Sequence, residues 1–174
     1  MLHWRREQLE IEGPDEIKSV AIEADPAGHK DQFGRGPAKR RPTQVVAAQF
    51  AQPVLVATAL VHGKLGIAEV DGLGDSSVLA LADRIRGVAR ESRPTRSLSI
   101  TVQRTDGRLV TVEASDPTGS PARPLTNAQL EAKFRDCARN AMQPLPTASV
   151  DAALATIGRL ETLADARELM TAFG

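Results

Sequence analysis

Hydrophobic and polar residues alternate with a period of two in a few short stretches, and these predict strands. In DEIKSVAIEAD, Ile17, Val20 and Ile22 stand among polar neighbours with some slip in the period. In SLSITVQR, Leu98, Ile100 and Val102 alternate strictly. Asp106-Gly107 follows, and Val110 and Val112 resume the alternation. An Asp-Gly pair between two alternating runs is a hairpin signal. Ile85 and Val88 begin one more alternation, so the segment DSSVLALADRIRGVARE is expected to start as a helix and run into a strand.

Helical spacing accounts for most of the remaining apolar residues. LHWRREQLE predicts a short helix ended by Gly13-Pro14, and Asp75, Ser76 and Ser77 are N-cap residues for Val78, Leu79, Leu81 and Ala82. Thr126 and Gln129 form a capping box for NAQLEAKFRDCARNAM, whose stripe is Leu130, Phe134, Cys137 and Ala138. Ser149 is placed as the cap of VDAALATIGRLETL, and ADARELMTAF as a closing helix. The most apolar segment, PTQVVAAQFAQPVLVATALVHGKLG, carries Pro53 in its middle. Proline fits the first turn of a helix, where its missing N–H is not needed. The segment therefore reads as a short helix capped by Thr43, then a second one capped by Ala51 or Gln52, starting at Pro53 and stopping at Gly63. Residues 25–42 read as a mobile basic loop rich in Gly and Pro.

About four strands with five or six helices and a central antiparallel hairpin define the expected fold class. It is α+β, a two-layer sandwich with a mostly antiparallel sheet and helices on one face. The composition agrees: 174 residues, 41% hydrophobic and 25% charged, suit an ordinary globular core.

Charge and cysteine content narrow the function classes. Twenty-two basic and 22 acidic residues cancel, which gives no reason to expect nucleic acid or an anionic membrane as partner. Gln49, Gln52 and Pro53 interrupt the apolar segment, which argues against a bilayer span. One cysteine, Cys137, excludes an intrachain disulfide and a cysteine metal cluster. Cys137 reads as a core residue. The N-terminus lacks a signal peptide's apolar run, so a cytoplasmic location is expected.

No G-x-S-x-G, Walker, H-E-x-x-H or G-x-G-x-x-G motif is present, and DGLGD at 71–75 reads as a turn. His3, His29 and His62 fall in three different local settings, so no metal is expected. Lys39, Arg40 and Arg41 in GPAKRRP read either as a solvated loop or as a site for a carboxylate or phosphate.

Several stretches, in order, resemble the MmgE/PrpD family. PTQVVAAQFAQPVLVATALVHGKLG is similar to its signature, P-T…A-Q-F-S-[LM]-P-Y…A-A-L…G…G. DSSVLALADRIRGVARE resembles its helix and strand. SLSITVQRTDGRLVTVEASDPTGSPARPLTNAQLEAKF resembles its hairpin, its G-x-P-x-x-P-L loop and its L-x-x-K-F helix, and IGRLETLADARELMTAF its closing helices. The family includes 2-methylcitrate dehydratase, cis-aconitate decarboxylase and iminodisuccinate epimerase, which act beside a carboxylate on small di- or tricarboxylic acids. The resemblance implies two domains, a large helical one and a small α+β one covering the active site, commonly in a dimer and without cofactor or metal.

Residues 1–174 resemble only the α+β, lid-type domain, so the helical catalytic domain is expected to be absent and the chain to be catalytically incomplete alone. The expected partners are a second copy or a separately encoded helical domain, with a small carboxylic acid as ligand of the active complex. The alternative is a non-catalytic binding or oligomerisation module. No catalytic residue is assigned. Substrate-binding candidates implied by the resemblance and the basic tract are His3, Arg40, Arg41, Gln49 and Gln52. The signature's serine and aromatic positions are Ala51 and Val54 here, a departure that speaks for the inherited fold more than for the inherited activity.

Overall fold

The computed structural model describes residues 6–34, 36–95 and 97–172. The chain divides into two compact units, Met1–Pro124 and Leu125–Gly174.

The first unit is built on a four-stranded sheet in the order β2-β1-β3-β4. The strands are β1 (Ile17–Ala24), β2 (Ile85–Ala89), β3 (Leu98–Arg104) and β4 (Leu109–Ala114). β2 joins β1 in parallel, whereas β1–β3 and β3–β4 are antiparallel. The fold is therefore α+β with a mixed, mostly antiparallel sheet. Registry places the alternating residues in rows across one face: Ile85, Val20, Val102 and Val110, then Gly87, Ile22, Ile100 and Val112. Val20, Ile22, Ile85, Ile100 and Val102 are fully or almost fully buried. Burial of each such side chain is worth about 1.5–3 kcal/mol, and a one-residue slip would turn the whole set outward.

Helices cover this face. They are α1 (Pro26–Phe33), α2 (Val45–Gln49), α3 (Gln52–His62), α4 (Ile67–Asp71) and α5 (Ser76–Ala82). Val56, Ala57, Ala59 and Leu60 of α3 and Val78, Leu81 and Ala82 of α5 share one core cluster with the sheet. Pro53 sits in the first turn of α3 as its second residue, Ala51 is the N-cap, and Gly63 ends the helix in the left-handed conformation at φ 72°. Thr58 is buried and donates its hydroxyl to the Val54 carbonyl at 2.8 Å. Asp75 caps α5 by accepting from the N–H groups of Ser77 and Val78.

The opposite face is polar. Ser19 donates to Gln103, and the hydroxyls of Thr101 and Thr111 meet at 2.9 Å. Glu23 and Glu113 stand on either side of Ser99 in one row. Arg93 lies between them, donating to Glu113 at 2.8 and 3.1 Å and pairing with Glu23 at 3.5 Å. Arg90 adds a second contact to Glu23 at 3.0 Å.

Several expectations are corrected. Residues 25–42 are not one loop. Asp25 accepts from the Gly28 N–H and Pro26 opens α1, and a 3-10 turn follows at Gly36–Lys39. α2 begins after Gln44, with no side-chain cap from Thr43. α4 precedes the 71–75 turn, and its first turn is held by Glu69, which accepts from the Gly66 N–H at 2.9 Å and pairs with Lys64 at 2.8 Å. At the N-terminus, Arg6–Leu9 is a 3-10 turn, and the remainder of the predicted helix, through Arg5, lies outside the described residues.

The second unit contains α6 (Asn127–Arg139) and α7 (Thr147–Ile157). The Thr126–Gln129 capping box forms as expected. Ser149 is inside α7 rather than its cap, because the helix starts directly after Pro146. The closing segment is a 3-10 helix at Ala166–Ala172. Cys137 is exposed, not core; Ala138, beside it, takes the buried position.

Two predictions follow from the sheet. A Cβ added at Gly87 would lie 2.6 and 2.7 Å from the two Cδ atoms of Phe33, and the neighbour is a ring lodged against the core, not a flexible tip. Gly87→Ala should therefore cost about 1–3 kcal/mol in urea unfolding, with the loss reduced in a Phe33→Ala background. On the polar face, the Arg93 guanidinium holds the Glu113 carboxyl below the usual glutamate range. A depressed folded-state pKa gives stability that is present above about pH 4.3 and is lost as pH falls through the lower folded value. Glu113→Gln should flatten the stability profile below about pH 5 and leave its shape near pH 7 unchanged, as read from melting temperatures across pH.

Candidate functional site

Two adjoining hollows lie between α1, the 3-10 turn at Gly36–Lys39, α2 and the start of α3. They share Asp31 and Gln32. The smaller, about 320 Å³, is lined by Asp25, Gln32, Phe33, Gln52, Ser97 and Leu98 among others. The larger, about 780 Å³, has Lys30, Lys39, Gln44, Val46 and Phe50 in its lining. The sequence places these groups through two helix starts. The Asp25 cap and Pro26 direct α1 along the edge of the sheet, and the break at Ala51 turns the chain so that Gln52 faces the smaller hollow.

α1 has no fully buried residue, so its attachment rests on Phe33, which is partly buried over Gly87. His29 stacks on Phe33 with ring centroids 5.5 Å apart. Oε1 of Gln32 is buried and has no hydrogen-bond partner, so it remains an acceptor for a donor brought into the shared wall.

The basic tract acts as a set of staples. Lys39 donates to the Phe50 carbonyl at the end of α2, at 2.5 Å. Arg40 donates to the Ile85 carbonyl at the start of β2, at 3.0 Å, and Arg41 pairs with Asp83 at 2.6 Å. Three successive cations thus tie three elements together. Positive charge near a helix C-terminus also complements its dipole.

The candidate residues separate accordingly. Gln52 lines the smaller hollow. Gln49 is exposed on α2. Arg40 and Arg41 point to β2 and to Asp83, and His3 lies outside the described residues. His62 pairs with Asp75 at 3.1 Å, joining the end of α3 to the cap of α5, while His29 belongs to α1. Among the described residues, no group of three or more His, Cys, Asp or Glu is arranged to hold a metal. No described helix is long and apolar enough to cross a membrane. Lys39, read from the sequence either as a solvated loop residue or as an anion ligand, lines the larger hollow, whereas Lys30, Gln32 and Phe50 were not among the sequence candidates. The local signal for the wall that carries Lys30 and Gln32 is Asp25-Pro26, an N-cap followed by an N1 proline.

A mixed sheet with helices on one face defines an α+β domain. The pattern of the MmgE/PrpD C-terminal domain matches residues 1–156, and the chain belongs to that family. No curated protein matches the sequence.

The staples differ in exposure and so in weight. Arg41 and Asp83 side chains are 61% and 43% exposed, and such a pair contributes about 0–1 kcal/mol. Arg41→Ala should leave the unfolding free energy nearly unchanged. Arg40→Ala should cost more, about 1–2 kcal/mol, because it strips a charged donor from the Ile85 carbonyl at the sheet edge. Equilibrium denaturation of both variants checks the order.

Proposed function

We propose that this chain is the lid-type half of a lyase or isomerase acting on a small di- or tricarboxylic acid, and that it is catalytically incomplete without a helical catalytic half supplied from outside residues 1–174. Membership of the MmgE/PrpD family supports the reaction class. The observation that carries the reading to a site is Gln52. It belongs to the signature segment and lines a hollow beside the unpartnered Gln32 oxygen. In this reading the amides of Gln52 and Gln32 hold hydroxyl or carboxyl groups of the substrate. The acid and base that move the proton come from the helical half. The complex works in the cytoplasm.

A second reading, a non-catalytic binding module, is favoured by the exposure of Val46 and Phe50, 65% and 58%. The two readings separate on activity. Purified chain alone should not turn over cis-aconitate or 2-methylcitrate; turnover by the isolated chain would sink the incomplete-enzyme reading. Addition of a helical MmgE/PrpD-type domain should restore it, and Gln52→Ala should then lower kcat/KM by about tenfold to a hundredfold. Reconstituted complex with no activity on any small carboxylic acid would leave the binding-module reading in its place.

A further inference from the structure

Val46 in α2 and Phe50, the residue that caps its C-terminus, lie four residues apart and both line the larger hollow. Both are more than half exposed, whereas Ala48 on the same helix is buried. The larger hollow opens directly beside them, with Lys30 and Lys39 in its lining and Asp31 as the one carboxylate there among the described residues. Lys39 uses one of its three donors on the Phe50 carbonyl. Neither lysine has an ion-pair partner among the described residues. The face thus offers an apolar pair at one-turn spacing, a groove alongside it and a net positive lining.

We propose that this face docks an acidic amphipathic helix: apolar side chains at i and i+4 seat against Val46 and Phe50, and Asp or Glu on the flank meets Lys30 and Lys39. The spacing matches helix-in-groove recognition, and the charge sets polarity and partner choice. A two-fold contact centred on this hollow would bring the Lys30 and Lys39 of both copies together with only their Asp31 carboxylates to offset them, which favours an acidic helix over a second copy as the occupant. The inference rests on the reading that a helical partner exists, and adds where it binds and what chemistry it carries.

The test uses the intact chain and a fluorescein-labelled helical peptide of about 18 residues, long enough to hold a helix. One peptide has leucines at i and i+4 with flanking glutamates; its twin has lysines in place of the glutamates. Fluorescence anisotropy should show saturable binding of the acidic peptide and at least tenfold weaker binding of the basic one. Val46→Ser with Phe50→Ser should weaken binding more than tenfold. Lys30→Glu with Lys39→Glu should reverse the preference between peptides. The apolar pair and Lys30 are exposed, and circular dichroism checks that each variant keeps its fold. Absence of saturable binding, equal binding of both peptides, or binding indifferent to the loss of Val46 and Phe50 overturns the proposal. So does a wild-type dimer in sedimentation that the serine variant dissociates. The readout is independent of turnover: peptide binding without reconstituted activity sinks only the enzyme reading, and restored activity without peptide binding sinks only the docking proposal.

Discussion

The ring of Phe33 packs directly over Gly87, and the geometry of the cleft depends on that contact. Gly87 is paired with Ile22 on the inner face of the sheet, at an edge strand where every other row presents a side chain. Leaving that position empty makes a seat for one aromatic ring from above. α1 buries no residue completely, yet together with its cap Asp25 it supplies Lys30, Asp31 and Gln32 to the two hollows. A single missing methyl group in β2 therefore sets where four polar side chains stand.

The two faces of the sheet divide the labour between stability and contact. On the outer face, like-charged Glu23 and Glu113 are held by one bridging arginine, and hydroxyls and amides pair across strands. The edge strand β2 carries Arg86 and is followed directly by Arg90, charges of the kind that guard against strand addition. Apolar exposure in the signature region is instead concentrated on α2, beside the hollow with the lysines.

What the sequence disclosed was whatever local chemistry determines. Asp106-Gly107 turns the hairpin, Thr126 and Gln129 cap α6, and Pro53 and Gly63 bracket α3, each through contacts within a few residues. α1 was hidden because its one apolar anchor, Phe33, gains its meaning from a glycine more than fifty residues away. The basic tract was legible as charge but not as structure, since the carbonyls and carboxylate it holds belong to β2, α2 and Asp83. Ser149 and Cys137 misled for a related reason: Pro146 fixed the helix start earlier, and the small Ala138 took the position that hydrophobic ranking gave to the thiol. Of the candidate site, Gln52 was visible through the signature. Lys39 was visible as charge in the basic tract; Lys30 and Gln32 were not, because no periodicity marks a residue that faces a hollow made by distant segments.

The sheet topology carries a consequence for how such a domain changes over time. β1 and β2 are parallel neighbours, so the chain leaves one strand and must return beside it. That single excursion contains α1 to α5 and every residue of the larger hollow. Its two ends are fixed by strand registry, while the entropy of closing it grows only with the logarithm of its length. α3 and α5 are held by the core they share with the sheet, whereas the stretch between α1 and α2 contributes nothing to that core and is where length can change at least cost. The fold is thus a fixed frame with one revisable rim, and a lineage can alter what that rim recognises without refolding the frame.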